Sequence, residues 1–396
     1  PKTAWPPTSL FHNQNVVACA ALAAVGSNGA LINLLVNLFV GLALGANVVA
    51  ARCYGAKDDQ GVHEAVQTAV TLSLVGGVLM AFVGFFAAHG LLELMSSPED
   101  VIDLATLYLK IYFIGMPMTM LYNFNASLLR AVGDTRRPLV CLAVAGVINV
   151  VLNLLFVIVF QMSVAGVALA TILSQTVSAI MVTVLLVREE GAMHLDLRHL
   201  GFHKKAMLQI IQIGLPAGLQ STVFSLSNVV IQSAINSFGS TVVAGSSASA
   251  NLEGFVYTAM NAFSQAAVTF TSQNMGARKY QNLNRVVLNC LLCAIVTGVV
   301  LGGGAVLAGT QLLHFYSSDA AVIAAGYERL RVICGTYLLC GIMDTLASSL
   351  RGLGYSVLPM VVSLVGSCLL RLVWIATIFQ LNRTPFMLYI SYPISW

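Results

Sequence analysis

The sequence predicts an all-α polytopic membrane protein, two six-helix bundles of the same polarity related by a pseudo-twofold axis along the membrane normal. Composition is the first reason: of 396 residues 58% are hydrophobic and only 9% charged, with a mean hydropathy of +0.86. The charges sit in short clusters, and the apolar runs between them are long enough to cross about 30 Å of hydrocarbon as helices. An internal repeat is the second reason. Residues 54–138 reappear at 275–359 with a constant offset of 221 and no gap, and 21 of the 85 aligned pairs are identical. Tyr54-Gly-Ala-Lys57 returns as Met275-Gly-Ala-Arg278, Ser96-Ser97 as Ser317-Ser318, and Leu129-Arg-Ala-Val-Gly133 with Pro138 as Leu350-Arg-Gly-Leu-Gly354 with Pro359. Duplicated bundles of this kind point to transport.

Numbered by place in a six-plus-six pattern, the spans are 2 (29–51), 3 (65–89), 4 (104–129), 5 (138–160), 6 (164–187), 7 (206–236), 8 (249–273), 9 (286–313), 10 (330–350) and 11 (357–380). Charged clusters separate them: Arg52 and Lys57 after span 2, Glu93 to Asp103 after span 3, Arg130 to Arg137 after span 4, and Arg351 after span 10. The longest polar connection, Arg188 to Lys205, joins the halves. The domains are therefore 1–190, an N-terminal lobe; 191–205, a cytoplasmic linker; and 206–396, a C-terminal lobe.

The offset places the partner of span 7 before residue 1 and carries span 12 beyond Trp396, so helix 1 reads as largely missing and helix 12 as truncated. Six spans per copy is an even number, which makes the repeat parallel.

Basic residues set the orientation, because they are retained in the cytoplasm. Arg52, Lys57, Arg130, Arg136, Arg137, Arg188, Arg198, Lys204, Lys205, Arg278, Lys279, Arg285 and Arg351 follow or flank the ends of spans 2, 4, 6, 8 and 10. Lys110, Arg329, Arg331 and Arg383 lie at the other face. The loops after spans 2, 4, 6, 8 and 10 are thus expected in the cytoplasm of a multi-pass cell-membrane protein. A net charge of +4 gives no ground for a nucleic-acid partner. Cys141, Cys290, Cys293, Cys334, Cys340 and Cys368 lie in apolar spans and read as packing residues, with no metal site.

Several stretches carry a family resemblance: Ala21-Leu-Ala-Ala-Val-Gly26, Gly45 through Tyr54-Gly-Ala-Lys57, Leu128-Leu-Arg-Ala-Val-Gly-Asp-Thr135 with Pro138, Asn149-x-x-x-Asn153, Gly214-Leu-Pro-Ala-Gly218 and Leu350-Arg-Gly-Leu-Gly354. The chain resembles the multidrug and toxic compound extrusion (MATE) family, within the superfamily that also holds lipid-linked oligosaccharide flippases. The resemblance implies an antiporter that exports amphipathic or cationic small molecules in exchange for H⁺ or Na⁺, through alternating access of a cleft between two lobes, with no cofactor and as a monomer in the lipid bilayer. The coupling carboxylate that many members carry in helix 1 has no counterpart in Phe11 to Val17.

Polar groups within spans are the candidate site, because an ionisable side chain in hydrocarbon needs a cavity or a partner. Asp344 is the candidate ion-exchanging acid, and Asn123 is its neutral equivalent in the first copy. Glu253 reads as an acid opening span 8 near the outer surface. Arg371 needs a counter-charge or carbonyls, for which Glu253 and Asp344 are the acidic candidates; an internal salt bridge is its expected role, and contact with a substrate anion is the alternative. Asn33 and Asn37, Asn149 and Asn153, Gln175, and the span 7 stripe with Gln220 and Asn228 supply amides that coordinate cations or bond between helices. Pro117 and Pro216 are candidate kinks or hinges. Arg130 and Arg351 read as anchors of the cytoplasmic helix ends.

Two other classes compete with the exporter. A flippase for a lipid-linked precursor needs several cations in its cleft, where the spans offer Arg371 alone. A membrane-embedded enzyme needs a nucleophile and base or a metal cluster, and the spans hold neither His-Glu-x-x-His nor Gly-x-Ser-x-Gly. A non-transporting fragment is the remaining alternative.

Overall fold

A computed structural model describes residue 32 and residues 36–94 and 99–396. All regular structure among them is helical, as lipid demands of a backbone that has no water to bond. The first copy comprises α1 (Val36–Gly55), α2 (Asp59–Leu94), α3 (Glu99–Ile114), α4 (Met116–Ala131), α5 (Arg136–Leu154), which runs on through a π turn at Leu155–Val159, and α6 (Ser163–Arg188). The second begins with α7 (Lys204–Asn236), α8 (Ser240–Gly276) and α9 (Tyr280–Thr297), then a π turn at Gly298–Gly302, α10 (Gly303–Leu307) and α11 (Gly309–His314). It continues through α12 (Ala320–Gly335), α13 (Tyr337–Leu353), α14 (Val357–Ser363), a π turn at Leu364–Leu369, α15 (Leu370–Ala376), α16 (Ile378–Leu381), α17 (Pro385–Tyr389) and α18 (Ser391–Ser395).

Six crossings among the described residues are long and apolar enough for a membrane, and two bent pairs raise the number to eight. Helix α5 shows what surrounds them. Of its side chains only Pro138, Cys141 and Ala145 are buried, while Leu139, Val147, Val150 and Leu154 point outward. A helix apolar on every side and bare on most of them needs an apolar solvent. By contrast α7 and α8, at 33 and 37 residues, are long but less apolar, because each turns amides and hydroxyls inward.

The repeat is carried by backbone geometry as well as by residue identity. Lys57 and Arg278, 221 apart, both adopt φ of 56°. Gly133 and Gly354 have φ of 93° and 99°, and each ends its helix with a left-handed residue. Asp134 N donates to Leu129 O at 3.1 Å and Tyr355 N to Leu350 O at 3.0 Å, the bonds that close a helix C-terminus. The Leu-Arg-x-x-Gly motif is thus a helix stop that fixes an arginine one turn before the end.

Spans 4 and 10 depart from the expectation of single helices. Each is a pair, α3 with α4 bent by 49° and α12 with α13 bent by 44°, at Gly115 and Thr336, again 221 apart. Pro117 occupies the first turn of α4, where a missing N–H costs no helical bond. Leu338 stands in its place beside the second bend, so the proline does not by itself make the break. Both bends are instead packed on a glycine: a Cβ on Gly77 would lie 2.5 Å from the Pro117 backbone, and one on Gly298 3.1 Å from that of Leu338. Pro216 lies inside α7, which runs unbroken past it.

Candidate functional site

Two of the helix crossings at which the copies meet are made possible by small residues. In the first, α1 lies on α7 through Gly41 and Gly45 against Gly214 and Gly218. A Cβ on Gly41 would come within 2.2 Å of Gly218 N, and one on Gly218 within 2.4 Å of Leu38 O. This is the small-xxx-small contact that lets helix backbones touch in lipid. Asn37 extends it, donating to Ser225 Oγ at 2.9 Å.

The second crossing joins the C-terminal ends of α1 and α8, at the face of the bundle that carries the basic turns. A Cβ on Gly55 would lie 2.0 Å from Gln273 O, and one on Gly276 1.9 Å from Arg52 O. Arg52 donates to Gly352 O at 3.4 Å and Gln273 to Ala131 O at 2.7 Å. Deeper in, Asn47 donates to Ser127 O at 2.8 Å and accepts from Thr269 Oγ1 at 3.2 Å. Ile210, Ile213 and Val268 of the second copy share one buried cluster with Ala46, Val49 and Ala50 of the first. The basic end is closed.

Above this closure the helices part around a cavity of about 700 Å³. The first copy contributes Asn37, Val40, Gly41 and Leu44 from α1 and Asn123, Ser127 and Arg130 from α4. From the second come Gln220, Ser221, Phe224, Ser225 and Asn228 of α7, Tyr257, Asn261, Ser264 and Gln265 of α8, and Tyr337, Met343, Asp344, Ser348 and Arg351 of α13. Arg371 of α15 with Tyr392 and Trp396 completes the wall.

Of the residues singled out from sequence, Asp344, Asn123, Asn37, Gln220, Asn228 and Arg371 are brought together here. Asp344 shares the cavity wall with Tyr257, and Asn123 bonds back to Thr119 O of its own helix at 2.9 Å. Asn33 lies outside the described residues. Three further amides are elsewhere: Asn149 donates to Ser174 Oγ at 3.2 Å and Asn153 to Asn149 Oδ1 at 3.0 Å, so this pair ties α5 to α6, and neighbouring Gln175 is likewise absent from the cavity wall.

The structure corrects two readings. Glu253 is no interfacial acid and not on the cavity wall. Helix α8 starts at Ser240 rather than near residue 249, which places Glu253 more than three turns inside it, 5% exposed. There Arg329 grips it with two bonds of 2.8 and 2.9 Å, and Ser249 adds a third at 2.8 Å. Glu253 thus has Arg329 as its counter-charge and does not pair with Arg371. Arg371 instead donates from Nε to Ser395 Oγ at 2.7 Å and lies over the Tyr392 ring, 4.4 Å from its centroid.

Arg130 and Arg351 are where sequence reasoning fell short. Read as interfacial anchors, both reach back into the cavity, Arg130 to Ser127 Oγ at 3.0 Å and Arg351 to Gln220 Oε1 at 2.7 Å. The helical direction of a side chain was the available signal, since it points toward the N-terminus and so away from the helix end.

The MatE family model matches residues 16–155 and 216–377, more than half of the chain. This chain belongs to the MatE family. Members are transporters rather than enzymes, and this one is a multi-pass membrane protein. It is 28% identical to the probable multidrug resistance protein YpnP of Bacillus subtilis over 90% of this chain and 80% of that one. It is 26% identical to the probable multidrug resistance protein YoeA of the same organism, over 87% and 76%. The fold is that of a solved Vibrio cholerae MATE transporter, with a TM-score of 0.87, 20% identity, and coverage of 98% of this chain and 90% of that one.

Proposed function

We propose that this MatE transporter is a secondary active antiporter that exports amphipathic small molecules in exchange for H⁺ or Na⁺, through alternating access of the cavity between its lobes. One observation carries the reading: Asp344, the single carboxylate on the cavity wall among the described residues, faces a space bounded by both copies. A lone acid at a site of alternating exposure is the residue that exchanges an ion for cargo. Relatives named as multidrug resistance proteins support export, and a wall with Phe224, Tyr257, Tyr337 and Trp396 suits an apolar body. The protein acts in the cell membrane as a monomer, its basic turns in the cytoplasm, so closure at that end corresponds to an outward-facing state. The lobes are 1–190 and 206–396.

The experiment is dye efflux from proteoliposomes under an imposed H⁺ gradient and then a Na⁺ gradient, with wild type and Asp344→Asn. One gradient drives efflux in the wild type, and the variant loses it at equal protein content. Undiminished gradient-driven efflux by Asp344→Asn would exclude the role. A second reading, a flippase for a lipid-linked precursor, gains from the arginines on the same wall.

A further inference from the structure

Granting the transporter reading, we infer that the cavity takes an anionic amphiphile, a molecule with a phosphate or carboxylate group on an apolar or aromatic body, rather than a cationic one. Among the described residues three arginines, Arg130, Arg351 and Arg371, line the cavity against one acid, Asp344.

None of the three arginines has a carboxylate within 4.0 Å among the described residues; the salt bridges formed there engage Arg137, Arg329, His89 and His199. Their hydrogen-bond partners are neutral oxygens, Ser127 for Arg130, Gln220 for Arg351 and Ser395 for Arg371, and Asp344 is near enough to offset part of the charge of Arg351 alone. Taking a guanidinium out of water costs several kcal/mol unless its charge and its N–H groups are met. Arg371 is 2% exposed, and its Nη2 has no hydrogen-bond partner; Arg351 Nε has none either. Both residues line the cavity, and each keeps a buried N–H donor without a partner.

The contrast with Arg329 shows that this protein pairs a buried arginine when it needs only a strut. Arg329 is also buried, at 7% exposure, and donates to both oxygens of Glu253. Arg371 lacks that carboxylate and sits instead on the cavity wall, over the Tyr392 ring. A planar fork with free donors fits two oxygens of a carboxylate or phosphate. Tyr337 stacked on Trp396 at 5.4 Å between ring centroids offers a flat apolar surface beside it, suited to an aromatic body.

Binding to the purified full chain in nanodiscs tests this with fluorescein and rhodamine 6G, which share a xanthene ring and carry opposite charge. Fluorescein is expected to bind at least tenfold more tightly than rhodamine 6G. Arg371→Gln should weaken fluorescein at least tenfold and leave rhodamine 6G unchanged, and Arg371→Lys should restore part of the loss. Arg130→Gln is the second variant if Arg371→Gln fails to fold. Naphthyl phosphate and farnesyl pyrophosphate serve as competitors. Displacement by the first assigns soluble cargo and by the second lipid-borne cargo, and either supports an anionic group. Displacement by neither, or rhodamine 6G as the tighter ligand, overturns the inference. Gradient-driven efflux of rhodamine 6G without affinity for any anion would overturn it while leaving the antiporter standing. Anion binding with no gradient-driven efflux of either dye would do the reverse.

Discussion

Arg52 and Gln273 stand 221 positions apart, and each donates a hydrogen bond across the lobe boundary to the same place in the other copy. Arg52 reaches Gly352 O and Gln273 reaches Ala131 O, and those two acceptors are themselves 221 apart. Both carbonyls belong to the last turn of a helix, where acceptors have no intrahelical partner. The closure of the basic end is therefore built twice from one design, and opening it exchanges both bonds for water together.

Glycine at 276 is what allows α8 to reach Arg52. Its missing Cβ would stand 1.9 Å from a backbone oxygen, so no rotamer change relieves a larger residue. Gly276→Leu is expected to hold the basic end open. The measurement is labelling of Ser264→Cys, a cavity position, in a variant without other cysteines, by a membrane-impermeant maleimide from each face. Labelling should rise from the basic face. A pattern identical to that of Gly276 itself would mean that this crossing does not control access.

The α1–α7 crossing gives a prediction about stability. A Cβ on Gly41 meets Gly218 N at 2.2 Å, whereas one on Gly146, in lipid-facing α5, meets nothing within 4 Å. Gly41→Ala should cost about 1–3 kcal/mol by overpacking. Gly146→Ala should be neutral or stabilising by about 0.4–1 kcal/mol. Thermal unfolding in detergent separates them, and equal melting temperatures would show that the glycine contact is dispensable.

How much of this was legible beforehand follows from the kind of signal each feature leaves. The spans and the duplication were readable because apolar length and a fixed offset are one-dimensional, and the offset recurs in φ at Lys57 and Arg278. Asp344 was readable because an acid in an apolar run is conspicuous. The bends at Gly115 and Thr336 were not, since the second has no proline and both depend on glycines of a neighbouring helix. Glu253 was misplaced because α8 begins with Ser-Thr-Val-Val-Ala-Gly-Ser-Ser, too polar to read as a span. Its partner Arg329, 76 positions away, leaves no pattern in sequence.

That pair makes a third prediction. Glu253 and Arg329 are 7% and 8% exposed at their side chains, and removing one partner strands a buried charge. Arg329→Met should destabilise the protein by about 3–5 kcal/mol. Adding Glu253→Gln should recover a large part of that loss, because the unpaired carboxylate goes with it. A double-mutant cycle on melting temperature reads the coupling. Additive losses would indicate two independent contacts rather than one ion pair.

Gly133 and Gly354 allow backbone strain to be separated from the closure, because they share a conformation and differ in surroundings. At φ of 93° and 99° any Cβ is strained, by about 1–2 kcal/mol. Around Gly133 nothing lies within 4 Å, but at Gly354 the Cβ would meet Arg52 Nη2 at 2.8 Å. A flexible guanidinium yields more readily than a backbone, so Arg52 moves and its bond to Gly352 O goes with it. Gly133→Ala should thus lower the melting temperature alone. Gly354→Ala should lower it and also raise maleimide labelling of the cavity from the basic face. With Arg52→Ala already in place, the substitution at 354 has no guanidinium left to displace, and the labelling increase should vanish while the loss in melting temperature persists. An increase that survives in that double variant would detach Gly354 from the closure and leave it a helix stop only.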